Sequence, residues 1–153
     1  MNRFEGKVCL VTAATAGIGL AIADRMAQEG GHLIICSRKQ NNVDDAIKSI
    51  NETIKKSNSK GSVAGLAVNV GKVDERKKLI DFISEKYGKL DVLVPNAAVS
   101  THFGSQLEIS EKAYDKLWDL NVKSTFFLIK ETIELIRKAG EGANILIIGS
   151  VTG

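Results

Sequence analysis

The sequence predicts an α/β protein in which helices cover both faces of an open, doubly wound parallel sheet, giving three α/β/α layers. Five short apolar runs recur along the 153 residues, and a segment with helical periodicity fills each gap between them. The runs, among them VCLVT and ILII, are continuously apolar rather than alternating. Such runs are typical of parallel strands buried on both faces, so five parallel strands are expected.

The predicted strands and helices alternate along the chain. The strands are predicted at Lys7–Thr12, His32–Ser37, Ser62–Val70, Asp91–Pro95 and Asn144–Gly149. The first helix runs to about Gln28. The second has an apolar stripe at helical spacing, formed by Val43, Ala46, Ile47, Ile50 and Ile54. The third has a similar stripe, formed by Leu79, Phe82, Ile83 and Tyr87. No repeat or linker interrupts this pattern, so residues 1–153 are expected to form a single domain.

The helix predicted from about Glu111 to Ala139 differs from the others because it has two apolar faces. One face is formed by Leu117, Leu120, Ser124, Leu128 and Leu135. The other is formed by Trp118, Val122, Phe126, Ile129, Ile133 and Ile136. A helix that covers a sheet needs only one apolar face, so the second is expected to be buried against a neighbouring helix or another subunit. The sequence therefore predicts a homo-oligomer that assembles through this helix.

Composition indicates a globular protein. Hydrophobic residues make up 44% and charged residues 25% of the sequence, which excludes disordered and fibrous classes. The net charge of +3 comes from scattered side chains and gives no reason to expect a nucleic-acid partner. Cys9 and Cys36 each lie in an apolar run and are expected to be buried thiols, so no metal site is predicted. Neither a membrane-spanning run nor a signal peptide is visible, so an intracellular protein is expected.

A glycine-containing turn is predicted between the first strand and the first helix. Its candidate cofactor-binding residues are Thr12, Ala13, Thr15, Gly17, Ile18 and Gly19. Glycines at such a turn let the backbone approach a pyrophosphate, whose charge then lies at unpaired N–H groups and at the positive end of the helix dipole. Two glycines at a strand-to-helix turn can also serve tight packing alone, so the motif by itself leaves both interpretations open.

Basic residues follow the second strand, where NAD-binding folds usually carry an acid for the ribose 2′-hydroxyl. Ser37, Arg38 and Lys39 stand there instead. A hydroxyl and two cations suit a 2′-phosphate, because Arg38 offers a planar fork of donors and Lys39 a point charge. Without the glycine turn, the two cations would be interpreted as solvated residues at a strand end. Together with the turn, they predict NADP(H) as the cofactor.

Small and polar residues end the fourth and fifth strands, at the edge where open α/β sheets bind ligands. Asn96, Ala97 and Ala98 follow the fourth strand and leave room for a cofactor, although Asn96 can also satisfy a turn alone. Ser150 ends the fifth strand, where a serine is more often a turn residue than a catalyst. Asn121 lies within an apolar face of the long helix, so a hydrogen-bond network is expected around it.

These motifs, in this order, resemble the short-chain dehydrogenase/reductase family over essentially the whole chain. The family's TGxxxGIG turn is matched by Thr12–Gly19, its NNAG by Pro95–Ala98, its helix asparagine by Asn121 and its serine by Ser150. Further matches at Ser37–Gln40, Val70–Lys72 and Asn96–Val99 resemble the dehydrogenase/reductase member 4 group, NADPH-dependent reductases of retinal and other carbonyl compounds that are often peroxisomal. The resemblance implies a Rossmann-type, NADP(H)-dependent oxidoreductase acting on a small carbonyl or alcohol, in the cytoplasm or in peroxisomes.

Several positions depart from the family pattern. Ala13 replaces the first glycine of the turn, which is compatible with binding if the local φ is negative. Pro95 and Ala98 replace the first Asn and the Gly of NNAG. Asn69, next to the candidate cofactor residue Val70, stands where many members have an Asp that contacts adenine. That adenine contact is therefore expected to be altered.

The family's Tyr-x-x-x-Lys is expected after the serine strand, and neither Tyr87 nor Tyr114 has a lysine four residues later. In the resemblance, Ser150 would orient the carbonyl oxygen and Asn121 would hold the water chain of the proton relay, while the tyrosine general acid is missing. The chain is therefore expected to be a truncated form, nearly inactive by itself. Three hypotheses remain: part of a carbonyl reductase, a nucleotide-binding or regulatory partner of a full-length relative, or a non-functional product.

Overall fold

The computed structural model describes residues 2–150 and contains one sheet of five parallel strands. The strands are β1 (Val8–Thr12), β2 (His32–Ser37), β3 (Ser62–Ala67), β4 (Val92–Val94) and β5 (Asn144–Ile145). They lie in the order β3-β2-β1-β4-β5, and every neighbouring pair is parallel. The chain therefore moves outward from β1 in one direction and later in the other. This confirms the predicted doubly wound fold, with a topological switch point between β1 and β4.

Helices connect the strands of the sheet. They are α1 (Gly17–Gln28), α2 (Gln40–Lys56), α3 (Val73–Tyr87), α4 (Glu111–Leu117) and α5 (Thr125–Ala139). A 3-10 helix at Gln106–Glu108 precedes α4, and a π-helix at Trp118–Ser124 joins α4 to α5. The predicted apolar stripe of α2 is buried at Val43, Ala46, Ile50 and Ile54. Within residues 2–150, no helix is both long enough and apolar enough to cross a lipid bilayer.

The two faces of the sheet pack against different helices. On one face Leu10 and Ile34 contact a cluster that includes residues of α3 and α5. On the other face Val11 and Ile35 contact a cluster that includes residues of α1 and α2. Successive residues of one strand thus serve opposite cores, which is why the strands are apolar throughout.

Both cysteines are buried free thiols, as predicted. Cys9 and Cys36 have no exposed surface, and each belongs to a core cluster on one side of the sheet. Burial raises the pKa of each thiol to about 12. The reactive thiolate is therefore essentially absent at neutral pH, and both residues serve packing.

Three strands are shorter than predicted by two residues or more, while β1 lacks only the predicted Lys7. β3 ends at Ala67 rather than Val70, because Asn69 turns the chain: its side-chain oxygen accepts from the Gly71 N–H and its carbonyl from the Lys72 N–H. β4 covers Val92–Val94 rather than Asp91–Pro95, and β5 covers Asn144–Ile145 rather than extending to Gly149. Backbone bonds nevertheless continue past β5, since Leu146 donates to Leu93 and Ile148 to Pro95.

The long helix predicted from Glu111 to Ala139 has the predicted ends, but it is not α-helical throughout. Residues Trp118–Ser124 form a π-helix, whose wider turn changes the direction of the side chains that follow. The first predicted apolar face is largely buried, including Ser124, Leu128 and Leu135. The second face divides, because Ile136 is buried whereas three residues are exposed: Trp118, Val122 and Phe126.

Candidate functional site

The turn between β1 and α1 leaves the first N–H groups of the helix without a side-chain cap. Ala16 is the N-cap residue, and the first helical turn carries no acidic residue. Gly17 enters the helix at φ 56°, in the left-handed region that glycine adopts without strain. The positive end of the α1 dipole therefore faces an anion-accessible turn at the carboxyl edge of the sheet.

Gly19 lets α1 approach the loop that follows β4. A Cβ atom at this position would lie 2.5 Å from Asn96 Nδ2 and 2.6 Å from the Ala13 carbonyl oxygen. Asn96 Nδ2 in turn donates to the carbonyl oxygens of Thr12 at 3.0 Å and Ala13 at 3.3 Å. The second glycine of the motif thus serves close packing, and the asparagine ties the turn to the neighbouring strand end.

Thr12, the last residue of β1, joins the carboxyl ends of β1 and β4 through its side chain. Its side chain is 1% exposed, and Oγ1 accepts hydrogen bonds from the N–H groups of Asn96 at 2.9 Å and Ala97 at 3.1 Å. Because β1 and β4 flank the topological switch point, these bonds fix the floor of the site where ligands bind in open α/β sheets. The hydroxyl is thereby committed to the protein backbone.

Ala13 does not meet the condition under which its substitution for glycine is free of strain. Its φ is +51°, so a residue with a Cβ occupies the left-handed region. This conformation costs an L-residue roughly 1–2 kcal/mol. The turn therefore keeps the backbone path that glycine would favour and carries local strain at the candidate site.

A cleft of about 730 Å³ opens at the carboxyl ends of the strands. Half of the predicted cofactor residues line it: Ala13, Ser37, Arg38, Asn69, Val70, Ala97 and Ala98. The other predicted residues do not line it: Thr12, Thr15, Gly17, Ile18, Gly19, Lys39 and Asn96. Ile18 instead lines a second, more apolar groove between α1 and the strands β4 and β5.

The cleft also has a wall that sequence reasoning missed. Four residues of α4 line it, namely Glu111, Lys112, Asp115 and Lys116, followed by Asp119 and Leu120 of the π-helix. The charged residues of this helix were unassigned in the sequence, because only its apolar faces carried a recognisable pattern. The alternation of acidic and basic side chains at helical spacing was the only sequence signal for this wall.

Of the two basic residues after β2, Arg38 lines the cleft and Lys39 follows it in the chain. Arg38 and Lys39 are exposed, and Lys39 is the N-cap residue of α2. Among residues 2–150, no carboxylate forms an ion pair with either of them. Arg38 therefore presents an uncompensated guanidinium to the cleft, beside the half-buried Ser37.

The loop after β3 is held in place by two residues at the start of α3. Glu75 accepts a 2.6 Å hydrogen bond from the Asn69 N–H, and this bond is the main reason why the pKa of Glu75 is lowered. Arg76 is 3% exposed and donates from Nη1 to the Val70 carbonyl at 2.8 Å. Neither residue was singled out in the sequence, since a charged pair on a helix usually indicates a solvated face.

Asn121 lies in the π-helix and has the partners that its apolar surroundings require. Its Oδ1 accepts from the Val99 N–H at 2.8 Å, and its Nδ2 donates to the Val99 carbonyl at 2.9 Å. The helix is thereby fixed to the chain just after the small residues that follow β4. Ser150, the other predicted catalytic residue, is exposed near the end of the described chain.

Neither tyrosine occupies a position at the cleft. Tyr87 stacks on His32 with 6.3 Å between ring centroids. His32 is the first residue of β2, at the amino ends of the strands and away from the cleft. His32 also bonds Ser62 at 2.9 Å, in keeping with its predicted structural role. Tyr114 is exposed on α4, 6.0 Å from the ring of Trp118. His102 contacts the Ser105 carbonyl within its own loop.

The sequence profile of the family described as short chain dehydrogenase matches residues 7–153. The chain belongs to the short-chain dehydrogenase family. This family comprises oxidoreductases.

Individual relatives agree with the family assignment. The short-chain dehydrogenase is 46% identical over 144 residues to "Dehydrogenase/reductase SDR family member 4" of Caenorhabditis elegans, which covers 94% of the chain and 54% of the relative. It is 43% identical over 153 residues to "Tropinone reductase-like 3" of Erythroxylum coca, covering 99% and 55%. The L-sorbose reductase of Gluconobacter frateurii, solved with NADPH and L-sorbose, superimposes with a TM-score of 0.86 at 26% identity, covering 99% and 55%. The chain thus spans about half the length of the relatives it matches.

Proposed function

We propose that this short-chain dehydrogenase binds NADP(H) along the carboxyl edge of its sheet. The diphosphate lies at the uncapped amino end of α1, and the adenosine occupies the cleft between Arg38 and the loop that contains Asn69 and Val70. The observation that carries the proposal is the unpaired guanidinium of Arg38 on a cleft that begins at the glycine turn. The NADPH complex of the structurally similar L-sorbose reductase supports the same class of cofactor.

The preference for NADP(H) over NAD(H) follows from charge. The 2′-phosphate of NADP(H) adds an anionic group that a carboxylate at the end of β2 would repel. This chain has Ser37, Arg38 and Lys39 at that position, and neither of the two cations forms an ion pair among the described residues. The guanidinium fork and the neighbouring ammonium therefore favour the phosphate over the free hydroxyl.

The proposed reaction is reduction of a ketone or aldehyde, retinal among them, or the reverse oxidation of an alcohol. The cofactor supplies the hydride when bound. Ser150 orients the carbonyl oxygen, and Asn121 fixes the helix beside the cofactor while supporting the water chain that delivers the proton. Relatives described as a tropinone reductase-like protein and an L-sorbose reductase support a small carbonyl substrate.

These 153 residues are proposed to bind the nucleotide without completing the reaction. Four residues after Tyr87 the chain has Asp91, and four residues after Tyr114 it has Trp118. Neither tyrosine therefore has the lysine that would activate it as the general acid of the family pattern. The predicted cofactor-binding residues, in contrast, all lie within the described part of the chain. We therefore expect saturable NADPH binding and little carbonyl reduction by residues 1–153 alone. We also propose that residues 1–153 form a single domain and that the protein acts in the cytoplasm or in peroxisomes.

An exposed apolar stripe favours assembly with a second copy or a full-length relative. Tyr114, Trp118, Val122 and Phe126 recur every four residues along the α4–π–α5 helix, and each is close to half exposed or more. Aromatic residues of this kind, in a row on one face, are typical of protein interfaces. A regulatory role through pairing is therefore the second candidate function.

NADPH titration tests the proposed cofactor preference. Binding followed by calorimetry is expected to be tighter for NADPH than for NADH, and Arg38→Ala is expected to weaken NADPH by about tenfold, the value of one charge-assisted hydrogen bond. Arg137→Ala is the matched control, since Arg137 is an exposed arginine paired with Glu134 on α5. Equal affinity for the two nucleotides, or equal losses in the two variants, would contradict the proposal.

A further inference from the structure

A buried arginine connects α3 to α5 within the core. Arg76 is 3% exposed, and its Nε and Nη2 atoms donate to the two carboxylate oxygens of Glu131 at 2.8 and 3.0 Å. Its guanidinium carbon lies 5.7 Å from the centre of the Phe127 ring. The pairing is bidentate, which fixes the plane of the guanidinium as well as its position. Such a pair is costly to bury and needs all of its donors occupied.

The third nitrogen of the Arg76 guanidinium reaches the candidate site. Nη1 donates to the Val70 carbonyl at 2.8 Å, and Val70 lines the cleft together with Asn69 and Gly71. The same loop is held at Asn69 by Glu75, as described above. One face of the loop therefore borders the cleft while its backbone is fixed from behind by adjacent residues of α3.

The α4–π–α5 helix is thus bonded to two loops at the carboxyl edge. Through Arg76, Glu131 holds the Val70 carbonyl after β3, and Asn121 holds both backbone groups of Val99 after β4. Both loops line the cleft. Ordinary sheet packing does not require either set of bonds, since β3 and β4 have already ended at these positions.

The geometry points to Arg76, oriented by Glu131, as a positioning residue. It holds the Asn69–Gly71 loop in the position in which the loop contacts the adenosine end of the nucleotide. This inference rests on the proposed NADP(H) site and adds to it a residue that touches no ligand. A loop fixed before binding loses less conformational entropy when the nucleotide arrives, so the bond to Val70 increases affinity. Without the guanidinium, the Val70 carbonyl is buried and loses its donor, and the loop moves to recover one.

The test compares nucleotide affinity in variants that separate this role from stability. Arg76→Met with Glu131→Met removes both charges together, so no unpaired ion remains in the core. This double variant is expected to bind NADPH and 2′,5′-ADP about fivefold more weakly, by equal factors, because one hydrogen bond to the adenosine loop is lost. Glu131→Gln keeps Arg76 but offers only one acceptor oxygen to its guanidinium, so Arg76 is less firmly oriented and a loss of affinity smaller than that of the double variant is expected.

The matched control is Arg25→Met with Glu29→Met at the carboxyl end of α1, which removes another buried carboxylate together with its ion pairs to Arg25 and to the exposed Arg3. It is expected to lower the unfolding temperature without changing either nucleotide affinity when measured well below that temperature. Arg76→Lys keeps a cation near Glu131 but has no rigid fork, so an intermediate loss of affinity is expected. This variant provides the test if the double variant fails to fold.

Hydrogen exchange provides a second measurement. The Gly71 and Lys72 amides, which are bonded to Asn69, are expected to exchange faster in both Arg76 variants than in the control. Wild-type affinity for NADPH and 2′,5′-ADP in both Arg76 variants would overturn the inference while leaving the proposed function intact. A wild-type chain that binds neither nucleotide would overturn both.

Discussion

Replacing Ala13 by glycine is expected to stabilise the protein, although the substitution removes a side chain from a half-buried position. Ala13 has φ +51°, in a region that disfavours any residue with a Cβ atom. Glycine adopts this conformation as readily as the ordinary ones. The change therefore relieves strain in the folded state at the turn that precedes α1.

The magnitude follows from two opposing terms. Relief of the left-handed conformation contributes roughly 1–2 kcal/mol. The greater freedom of glycine in the unfolded chain costs about 0.4–1 kcal/mol. The difference is a gain of about 0.8 kcal/mol, which corresponds to an increase of about 2–3 °C in the unfolding temperature of a chain of this size.

Thermal and urea unfolding, followed by circular dichroism, measure the effect. Ala21→Gly is the matched control, because Ala21 is an exposed residue inside α1 and undergoes the same chemical change. Glycine in a helix interior costs about 1 kcal/mol, so this variant is expected to unfold at a lower temperature. Asn58→Gly provides a second comparison: Asn58 also has φ +51°, but asparagine tolerates that region, and its gain should be smaller.

The sign of the change in stability caused by Ala13→Gly tests whether backbone strain or packing of the methyl group dominates at this position. If Ala13→Gly destabilises the chain as much as Ala21→Gly does, the reasoning from backbone strain is wrong. In that case the alanine methyl group contributes more through packing than its conformation costs.

Three further predictions concern packing, pH and assembly. Gly19→Ala places a Cβ 2.6 Å from the Ala13 carbonyl oxygen, so a loss of about 1–3 kcal/mol is expected in urea unfolding, and unchanged stability would contradict the close packing. Hydrogen bonds from Arg3 and Arg25 lower the pKa of Glu29 from 4.5 to about 2. Because this pKa is lower in the folded state, the ionised Glu29 stabilises the fold above pH 4.5, and that stabilisation is lost as the pH falls towards 2. Glu29→Gln is therefore expected to flatten the pH dependence of the unfolding temperature over that interval. Trp118→Ser is expected to leave the unfolding temperature of the monomer almost unchanged while lowering the oligomer fraction in light scattering, and an unchanged fraction would exclude the exposed stripe from assembly.

Local patterns in the sequence predicted most of the fold. Continuous apolar runs marked β1 and β2 almost to the residue, because strands buried on both faces leave no room for polar side chains. The stripe of α2 likewise marked its buried face. Predictions were less accurate where a turn competed with the apolar run, as at Asn69, whose side chain ends β3 early.

The site was predicted less completely than the fold. The glycine turn, Arg38 and the small residues after β4 were visible as motifs, and the structure brings Ala13, Arg38 and Ala97 to one cleft. The charged wall provided by α4 was not visible, since a charged helical face is normally solvated. Thr12 is predicted at the cofactor, and its buried hydroxyl accepts hydrogen bonds from the backbone N–H groups that follow β4, a contact that no local pattern indicated.

The sequence by itself determined the order of strands and helices, the edge at which their polar ends accumulate, and the charge available there, because periodicity and residue chemistry are properties of short segments. The tertiary structure alone decided the φ of Ala13, the π-helix around Asn121 and the bond from Arg76 to Val70. Arg76 and its partner Glu131 are 55 residues apart. Such contacts exist only after α3 and α5 have packed on the sheet, and no local pattern records them.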